Sequence, residues 1–249
     1  MITSTAKKRP RVIFIVAWSG VGKTTVGDFL STYCGAHHID GDDDMRRPDV
    51  KECKSATDGL VNSFNSYWFK DKAAPSELWN PYFQLLCNKA RLAATQYKGK
   101  DIIVSFSIYR REVRDFIRDK LSDIARDVLF LKLECDVDVV VRGQLKQLAD
   151  FMALRGETVQ DYWNKPPILG GSEGKAYREI YGEWSFANFR KKTLETTLAG
   201  MEPFGDDETD FVAVDVSSRD ATVFDRVAAA LALPSSREVC ECVCACIYA

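Results

Sequence analysis

Short apolar runs alternate with longer stretches of mixed polarity along the chain. The runs occupy residues 12–17, 36–40, 102–106, 128–133 and 211–216. The first run carries no charge, which is typical of a strand buried on both faces of a parallel sheet. The stretches between the runs predict helices over residues 81–96, 111–120, 138–154, 175–198 and 222–231. Strands that alternate with helices predict an α/β fold.

The first apolar run leads directly into a glycine-rich turn. Residues 17–25 read Ala-Trp-Ser-Gly-Val-Gly-Lys-Thr-Thr and meet the pattern G-x-x-x-x-G-K-[ST], except that Ala17 stands at the first glycine. Gly20 and Gly22 permit backbone conformations in which N–H groups surround a phosphate. The turn therefore predicts a nucleoside triphosphate site. Its predicted binding residues are Ser19, Gly20, Val21, Gly22, Lys23, Thr24 and Thr25.

Cation and acid side chains near this turn predict a reactive site. Lys23 is expected to reach the β- and γ-phosphate oxygens, and the Thr24 hydroxyl to ligate Mg²⁺. The second run ends in an acidic segment, residues 40–44. Because ligands of open α/β sheets lie beyond the carboxyl ends of the strands, we expect Asp40 and Asp42 near the γ-phosphate. There they would hold the metal's water shell or accept a hydroxyl proton. The alternative is a solvated acidic turn.

A basic segment follows the run at residues 102–106. Arg110, Arg114 and Arg118 recur every four residues, which aligns them on one face of a helix. The first two are candidates for binding an anionic substrate or the transferred phosphoryl group. Arg118 is expected to pair with neighbouring acids. Seven aromatic residues within 64–83 predict the core of a small helical subdomain, with one or two rings left to line a substrate pocket.

Composition restricts the function classes. The 249 residues are 46% apolar and carry a net charge of −2, which is typical of a globular protein and argues against a nucleic-acid partner. The N-terminal ten residues lack the apolar core of a secretory signal. No run approaches the length of a transmembrane helix, about 18 residues. We therefore expect a cytoplasmic protein.

The eight cysteines fall into two groups. Cys34, Cys53, Cys87 and Cys135 are scattered and are expected to be reduced thiols. The other four alternate within residues 240–246 of a predicted flexible tail, residues 235–249. Its last four residues fit a farnesylation pattern, so membrane association is expected only if the tail is lipidated. The alternatives are an unmodified tail and a tract that binds soft metals.

The order of these parts resembles the gluconokinase and shikimate kinase group of P-loop small-molecule kinases. The family's phosphate loop corresponds to residues 17–25, and its Leu-Asp-Gly-Asp segment to residues 39–42. Its Cys-Ser-Ala-Leu-Lys-x-x-Tyr-Arg-Asp-x-Leu-Arg segment aligns without gaps on residues 106–118. The resemblance implies a three-layer α/β/α fold with a parallel sheet, a helical substrate-binding subdomain and an extended lid.

The resemblance also implies the cofactors ATP and Mg²⁺ and a set of residue roles. Lys23 and Asp40 would be catalytic, and Thr24 with Asp40 would hold the metal. Residues that would face the acceptor are Asp42, Arg110 and Arg114. An arginine of the lid would close over the phosphates, and the candidates are Arg142, which is out of register with the family, and Arg155.

Two departures from the family concern the substrate. A His-Pro pair of gluconokinases is replaced by Met45 and Arg46, and the lid and insertion, about residues 142–200, is longer than in the compact enzymes. Arg46 predicts an acceptor with its own carboxylate or phosphate.

We therefore expect residues 1–234 to form one kinase domain that phosphorylates a hydroxyl group of a small polar metabolite, such as a sugar acid, as a monomer or a homodimer. A nucleoside monophosphate kinase and a non-catalytic, nucleotide-gated binding module are the alternatives.

Overall fold

The computed structural model describes residues 9–43, 51–164, 179 and 186–233. The chain divides into two compact units, Met1–Glu134 with Ala199–Ala249, and Cys135–Leu198. The predicted lid and insertion falls mainly in the second unit. Arg46 and the cysteine-rich tail lie outside the described residues. Of the helix predicted over residues 175–198, the part up to residue 185 also lies outside them, except for residue 179.

A parallel sheet forms the centre of the first unit. Its strands in the described residues are β1 (Arg11–Val16), β2 (His37–Asp40), β3 (Ile102–Phe106), β4 (Asp127–Glu134) and β5 (Phe211–Asp215). Their spatial order is β2-β3-β1-β4-β5, and every pairing is parallel. β1 is central and completely buried from Val12 to Val16, as its uncharged sequence predicts. All strand bounds lie within one residue of the predicted runs.

Eight helices are found in the described parts of the chain. They are α1 (Lys23–Tyr33), α2 (Lys51–Asn62), α3 (Ser76–Gln96), α4 (Arg111–Leu121), α5 (Val137–Ala153), α6 (Val159–Trp163), α7 (Phe186–Ala199) and α8 (Thr222–Ala230). A π-helical turn, Ser63–Tyr67, and a 3-10 turn, Trp68–Lys70, follow α2. None of the helices in these described stretches has the length and apolarity that crossing a bilayer requires.

Helix α3 begins five residues before the predicted start at Pro81, which lies inside the helix. A proline there costs about 3 kcal/mol, because it removes one backbone hydrogen bond and crowds the preceding turn. Trp79, Tyr82 and Phe83 are almost completely buried around it. Burial of each ring contributes about 1.5–3 kcal/mol. The buried aromatic face therefore outweighs the proline.

The side chains of β3 show how helices cover both faces of the sheet. Successive strand residues point to opposite faces. The Ser105 hydroxyl lies 2.9 Å from His38 Nε2, and His38 Nδ1 lies 2.9 Å from Asp28 on α1. The next residue, Phe106, packs instead against Tyr82 on α3, with ring centroids 5.2 Å apart. Helices α1 and α3 thus lie on opposite faces, which confirms the three-layer α/β/α prediction.

The aromatic cluster forms a continuous core, as predicted. Phe64 contacts Trp68 at a centroid distance of 5.2 Å, and Trp68 contacts Trp79 at 6.5 Å. Tyr109 closes the cluster, edge-on to Phe64 at 5.3 Å. Trp68 has no exposed surface. These rings therefore fix the chain between α2 and α4.

The buried thiol of Cys87 also belongs to the core, and burial raises its pKa to about 12.

A buried ion pair anchors α4 to the segment before β5. Arg114 is completely buried, and its Nε and Nη2 donate to the Glu208 carboxylate at 2.8 and 2.7 Å. The guanidinium also donates to two backbone carbonyls and lies 4.2 Å from the ring centroid of Phe204. The prediction that Arg114 faces the substrate is wrong, because its charge is enclosed by this carboxylate.

Arg118 extends the same contact. Its guanidinium donates to Asp210 at 2.7 Å and to Asp115 at 2.6 Å. It also donates to Glu208 at 2.7 Å, so two arginines share one carboxylate. The predicted pairing with neighbouring acids is confirmed for Asp115. The helix face that carries the two arginines thus holds the chain between Glu202 and Asp210.

The second unit contains α5, α6 and most of α7. Lys191 Nζ donates to Asp138 at 2.7 Å, and Arg190 Nε donates to Gln144 at 3.1 Å. Trp163, which ends α6, is buried against Phe189 with ring centroids 5.7 Å apart. Helix α6 starts at a capping box of Thr158 and Asp161, which explains a five-residue helix there.

Replacing Glu208 with glutamine should destabilise the fold by about 3–5 kcal/mol, since it leaves the charge of Arg114 buried without its counterion. Urea unfolding would measure the loss. Burial alone would raise the pKa of Glu208, but hydrogen bonds from Arg114, Gly205 and Arg118 hold it at about 2. The stabilisation should therefore be complete above about pH 4.5 and be lost as the pH falls towards 2.

The matched control is Asp207→Asn, which removes the exposed partner of Arg111 one position away. It should change stability much less, because exposed pairs contribute little. Equal effects of the two variants would contradict a special role for the buried pair.

Candidate active site

The glycine-rich turn joins β1 to α1 in the conformation that its sequence predicts. Gly20 and Gly22 have φ of 85° and 111°, in the left-handed region that side chains disfavour. Gly22 caps α1, whose first residue is Lys23. A β-carbon at Gly22 would meet nothing within 4 Å, so its conformation and not its space requires glycine. The turn, residues 17–25, is called the phosphate loop below.

Lys23 is buried inside this loop. The residue is 8% exposed, and its Nζ donates to the carbonyl of Trp18 at 3.2 Å. Burial lowers the pKa of Lys23 to about 8, while the carboxylates of Asp42 and Asp40 partly oppose that shift. Burial therefore destabilises the charged form of the lysine relative to a lysine in water. An anion that enters the loop would stabilise the charged form and raise this pKa again.

Asp40 and Thr24 meet across the carboxyl edge of the sheet. The Thr24 hydroxyl donates to Asp40 Oδ2 at 3.3 Å, and the amide of Asp42 donates to Asp40 Oδ1 at 3.0 Å. This brings together the residues that the sequence analysis assigned to the metal. The described stretches contain no group of three or more His, Cys, Asp or Glu side chains that could hold a metal. A hydroxyl and one carboxylate instead suit Mg²⁺, which keeps several waters and binds substrate phosphates.

Gly41, between Asp40 and Asp42, is held in place by β3 and α3. The amide of Gly41 donates to the Ser105 carbonyl at 2.9 Å, and the Tyr82 hydroxyl donates to the Gly41 carbonyl at 2.6 Å. A β-carbon at Gly41 would lie 2.8 Å from the Ser105 carbonyl oxygen and 2.7 Å from Phe106. Only glycine fits this close approach. Asp40 and Asp42 therefore flank a fixed residue and are not part of a loose acidic turn.

His38, on the strand before the acidic segment, is held by two side chains from other elements. It lies between Asp28 and Ser105, with both ring nitrogens at 2.9 Å from an oxygen. The register places Asp40 opposite Ser105 on the neighbouring strand. His38 thus links β2 to α1 and β3. Its two partners come from other elements, and the sequence carries no local signal for them.

Asp42 and Arg110, which are predicted to face the acceptor, lie near a buried tyrosine, Tyr109, in chain position or in space. Tyr109 is buried, and burial raises its pKa to about 12; a hydrogen bond to Ser107 opposes this shift, and the charge of Asp42 adds to it. The Ser107 hydroxyl in turn donates to the Ala17 carbonyl at 3.0 Å, so this cluster is linked to the phosphate loop. The sequence around Tyr109 carries no motif that predicts a polar role for its hydroxyl.

Arg110 precedes α4 and is paired with acids from two other segments. Its Nη1 donates to Asp71 at 3.2 Å, and its Nε lies 3.6 Å from Glu202. Its role in binding the acceptor stays a prediction. Arg142 lies on α5 in the second unit and its role towards ATP also stays a prediction.

The donors of the loop fit a triphosphate with Mg²⁺. The indole N–H of Trp18 is buried and has no acceptor among the residues that the structure describes. Lys23 is buried with a lowered pKa, and Thr24 and Asp40 offer oxygen atoms that could ligate the cation. A buried donor without an acceptor costs about 1–3 kcal/mol. An entering phosphate can supply both an acceptor and a negative charge.

Comparisons with known proteins bear on the fold. No protein-family model matches the sequence, and no curated protein matches it significantly. The structure is similar to a gluconokinase from Sinorhizobium meliloti, with 19% identity, a TM-score of 0.50, and coverage of 90% of this chain and 93% of that one. A sugar kinase from a Janibacter species is similar at 18% identity and a TM-score of 0.51, with 91% and 95% covered. The chain has the fold of the P-loop kinases.

This P-loop kinase fold confirms the predicted fold class and the resemblance on which it was based. The likeness extends over about nine tenths of both solved chains. At 18–19% identity, this likeness concerns the path of the backbone and not the roles of individual residues. Residue roles therefore depend on the geometry of this chain.

Triphosphate binding should weaken as the pH rises through about 8, where free Lys23 loses its proton. The loop must then take up that proton before it can hold the anion, so affinity should fall by up to about tenfold per pH unit. Titration calorimetry with ATP between about pH 7 and 10 would measure the slope.

Lys23→Arg is the control, because a guanidinium stays charged over this range. It should abolish the slope whatever its effect on affinity. A wild-type affinity that does not change across the range would contradict the lowered pKa.

Proposed function

We propose that this protein transfers the γ-phosphoryl group of ATP, with Mg²⁺, to a hydroxyl group of a small polar metabolite, in the manner of gluconokinase. The observation that carries the proposal is the hydrogen bond between Thr24 in the phosphate loop and Asp40 at the end of β2. It puts a nucleotide-binding element and a carboxylate at one point of the sheet edge. A phosphoryl transferase needs both there.

The proposed reaction joins the acceptor oxygen to the γ-phosphorus and breaks the bond from that phosphorus to the β–γ bridging oxygen. The acceptor hydroxyl loses its proton, and ADP leaves with the bridging oxygen. Mg²⁺ would neutralise charge on the phosphate oxygens when bound. Thr24 and Asp40 would hold it, and Lys23 would donate to the β- and γ-oxygens. Positioning and charge neutralisation supply most of the rate in such reactions.

Asp42 is the proposed contact to the acceptor. Its amide is fixed to Asp40, and its carboxylate is close enough to influence both Lys23 and Tyr109. It can orient the hydroxyl and take its proton. Arg110 already faces two carboxylates, Asp71 and Glu202. Because these carboxylates already balance its charge, Arg110 has little to offer a phosphate group. This favours an acceptor rich in hydroxyl groups, such as a sugar or sugar acid, over a nucleoside monophosphate at that position.

The proposed setting of the reaction follows from the sequence. We retain a cytoplasmic location, a monomer or homodimer, and no nucleic-acid partner as parts of the proposal. The net charge of −2 supports the last point. Membrane association through a lipidated tail stays a prediction.

Asp40→Asn should lower acceptor-stimulated turnover by about 10²–10³-fold, since it weakens the group that places the metal at the transferred phosphate. ADP release from ATP and Mg²⁺ would be measured against sugar acids, polyols, shikimate and nucleoside monophosphates. Lys23→Ala serves as the blank.

Asp43→Asn is the matched control, because this exposed acid lies in the same segment and its amide donates to the Asp40 carbonyl. It should keep the wild-type rate. Tight ATP binding without stimulated turnover across the panel would favour a binding module. Stimulation by nucleoside monophosphates alone would identify the other kinase class.

A further inference from the structure

The turn between β5 and α8 reaches the phosphate loop from the far end of the chain. Arg219 Nη2 donates to the Gly20 carbonyl at 2.8 Å, across 199 positions of sequence. Arg219 itself has φ of 53°, a left-handed conformation that costs a non-glycine residue on the order of 1–3 kcal/mol. A strained arginine is thus held against a glycine of the predicted nucleotide site.

Hydrogen bonds within the turn explain why this conformation persists. Asp220 accepts from the Thr222 hydroxyl at 2.6 Å and from its amide at 3.0 Å. Arg226 on α8 donates to the Asp215 carbonyl at 3.0 Å. These contacts fix the backbone on both sides of Arg219. The side chain is therefore presented to the phosphate loop by a braced turn.

The contact constrains the peptide bond between Gly20 and Val21. A trans peptide is planar, so its carbonyl and its N–H point in opposite directions. Holding the Gly20 oxygen on one side fixes the Val21 N–H on the other. The backbone at Gly20 needs such a constraint, because glycine populates positive and negative φ with similar ease. Without an anchor, that peptide can turn its oxygen towards a bound phosphate.

We infer that Arg219 is a positioning residue for nucleotide binding: by holding the Gly20 carbonyl outward, it directs the Val21 N–H at the phosphate of the bound nucleotide. The inference rests on the proposed nucleotide site and goes beyond it, since the motif at residues 17–25 contains no signal for a second anchor. Arg219 acts through the backbone of the loop. Loss of its contact should weaken ATP and ADP alike, because both carry the phosphates that the loop surrounds.

The test compares Arg219→Gln, Arg219→Lys and Arg126→Gln. The last is the control for charge, since it removes the same charge from an exposed arginine that pairs with Asp127 at the start of β4 and has no part in the turn. Titration calorimetry would give the Kd for ATP and for ADP at low and high salt. We expect Arg219→Gln to raise both values about 10–100-fold, as loss of a hydrogen bond from a charged donor does. Arg219→Lys should recover part of the loss, and Arg126→Gln should bind nearly as wild type.

Salt separates positioning from a general charge effect. If Arg219 acts through its hydrogen bond to the loop, the weaker affinity of Arg219→Gln should persist at high salt. A long-range charge effect should not, because electrostatic attraction is screened within about 3 Å at 1 M salt. The amide resonance of Val21 in ¹⁵N-labelled protein gives a second readout. It should shift on ADP addition in the wild type and shift much less in Arg219→Gln. Thermal unfolding without nucleotide checks that each variant is folded, and Arg219→Lys keeps the test valid if glutamine prevents folding.

The two proposals fail in different ways. Wild-type protein that does not bind ATP would overturn the proposed function. Wild-type binding with equal affinities of Arg219→Gln and Arg126→Gln would overturn only this inference. A loss that disappears at high salt would also overturn it.

Discussion

Strand β3 is the constraint on which the site depends, because it holds the two loops on either side of it. Its Ser105 carbonyl binds the amide of Gly41, and the Ser107 hydroxyl just beyond it binds the Ala17 carbonyl. The first bond fixes the acidic segment, and the second fixes the start of the phosphate loop. Thr24 and Asp40 can meet only because both loops are fixed to this one strand.

Much of this arrangement could be predicted from sequence, since its determinants are local. An uncharged run preceded a loop with glycines at two positions, and both glycines have the left-handed conformations that the motif requires. The strands lie close to their predicted bounds because the strands of a parallel sheet are buried on both faces and therefore have continuous apolar sequences. The parallel topology then places Asp40 and the loop at the same edge of the sheet, one on each side of β3, as expected for strands whose carboxyl ends share that edge.

The errors concern long-range partners. Arg114 was assigned to the substrate because its spacing on α4 is visible, while Glu208, which encloses it, lies 94 positions away. The same limit applies to His38, whose oxygen partners come from α1 and β3. It applies also to Arg219 and Gly20. A buried polar group must be paired, but a single sequence does not show with what.

The central place of β1 in the sheet has a consequence for synthesis of the chain. Val16 pairs with Phe106 on one side and Lys132 on the other, so both neighbours of the first strand come from far downstream. At about 5–20 residues per second, the phosphate loop leaves the ribosome roughly 5–20 s before the strand that must hold it. During that interval an apolar segment waits without a partner. The phosphate loop is therefore made well before the strands that flank β1 and fix the start of the loop.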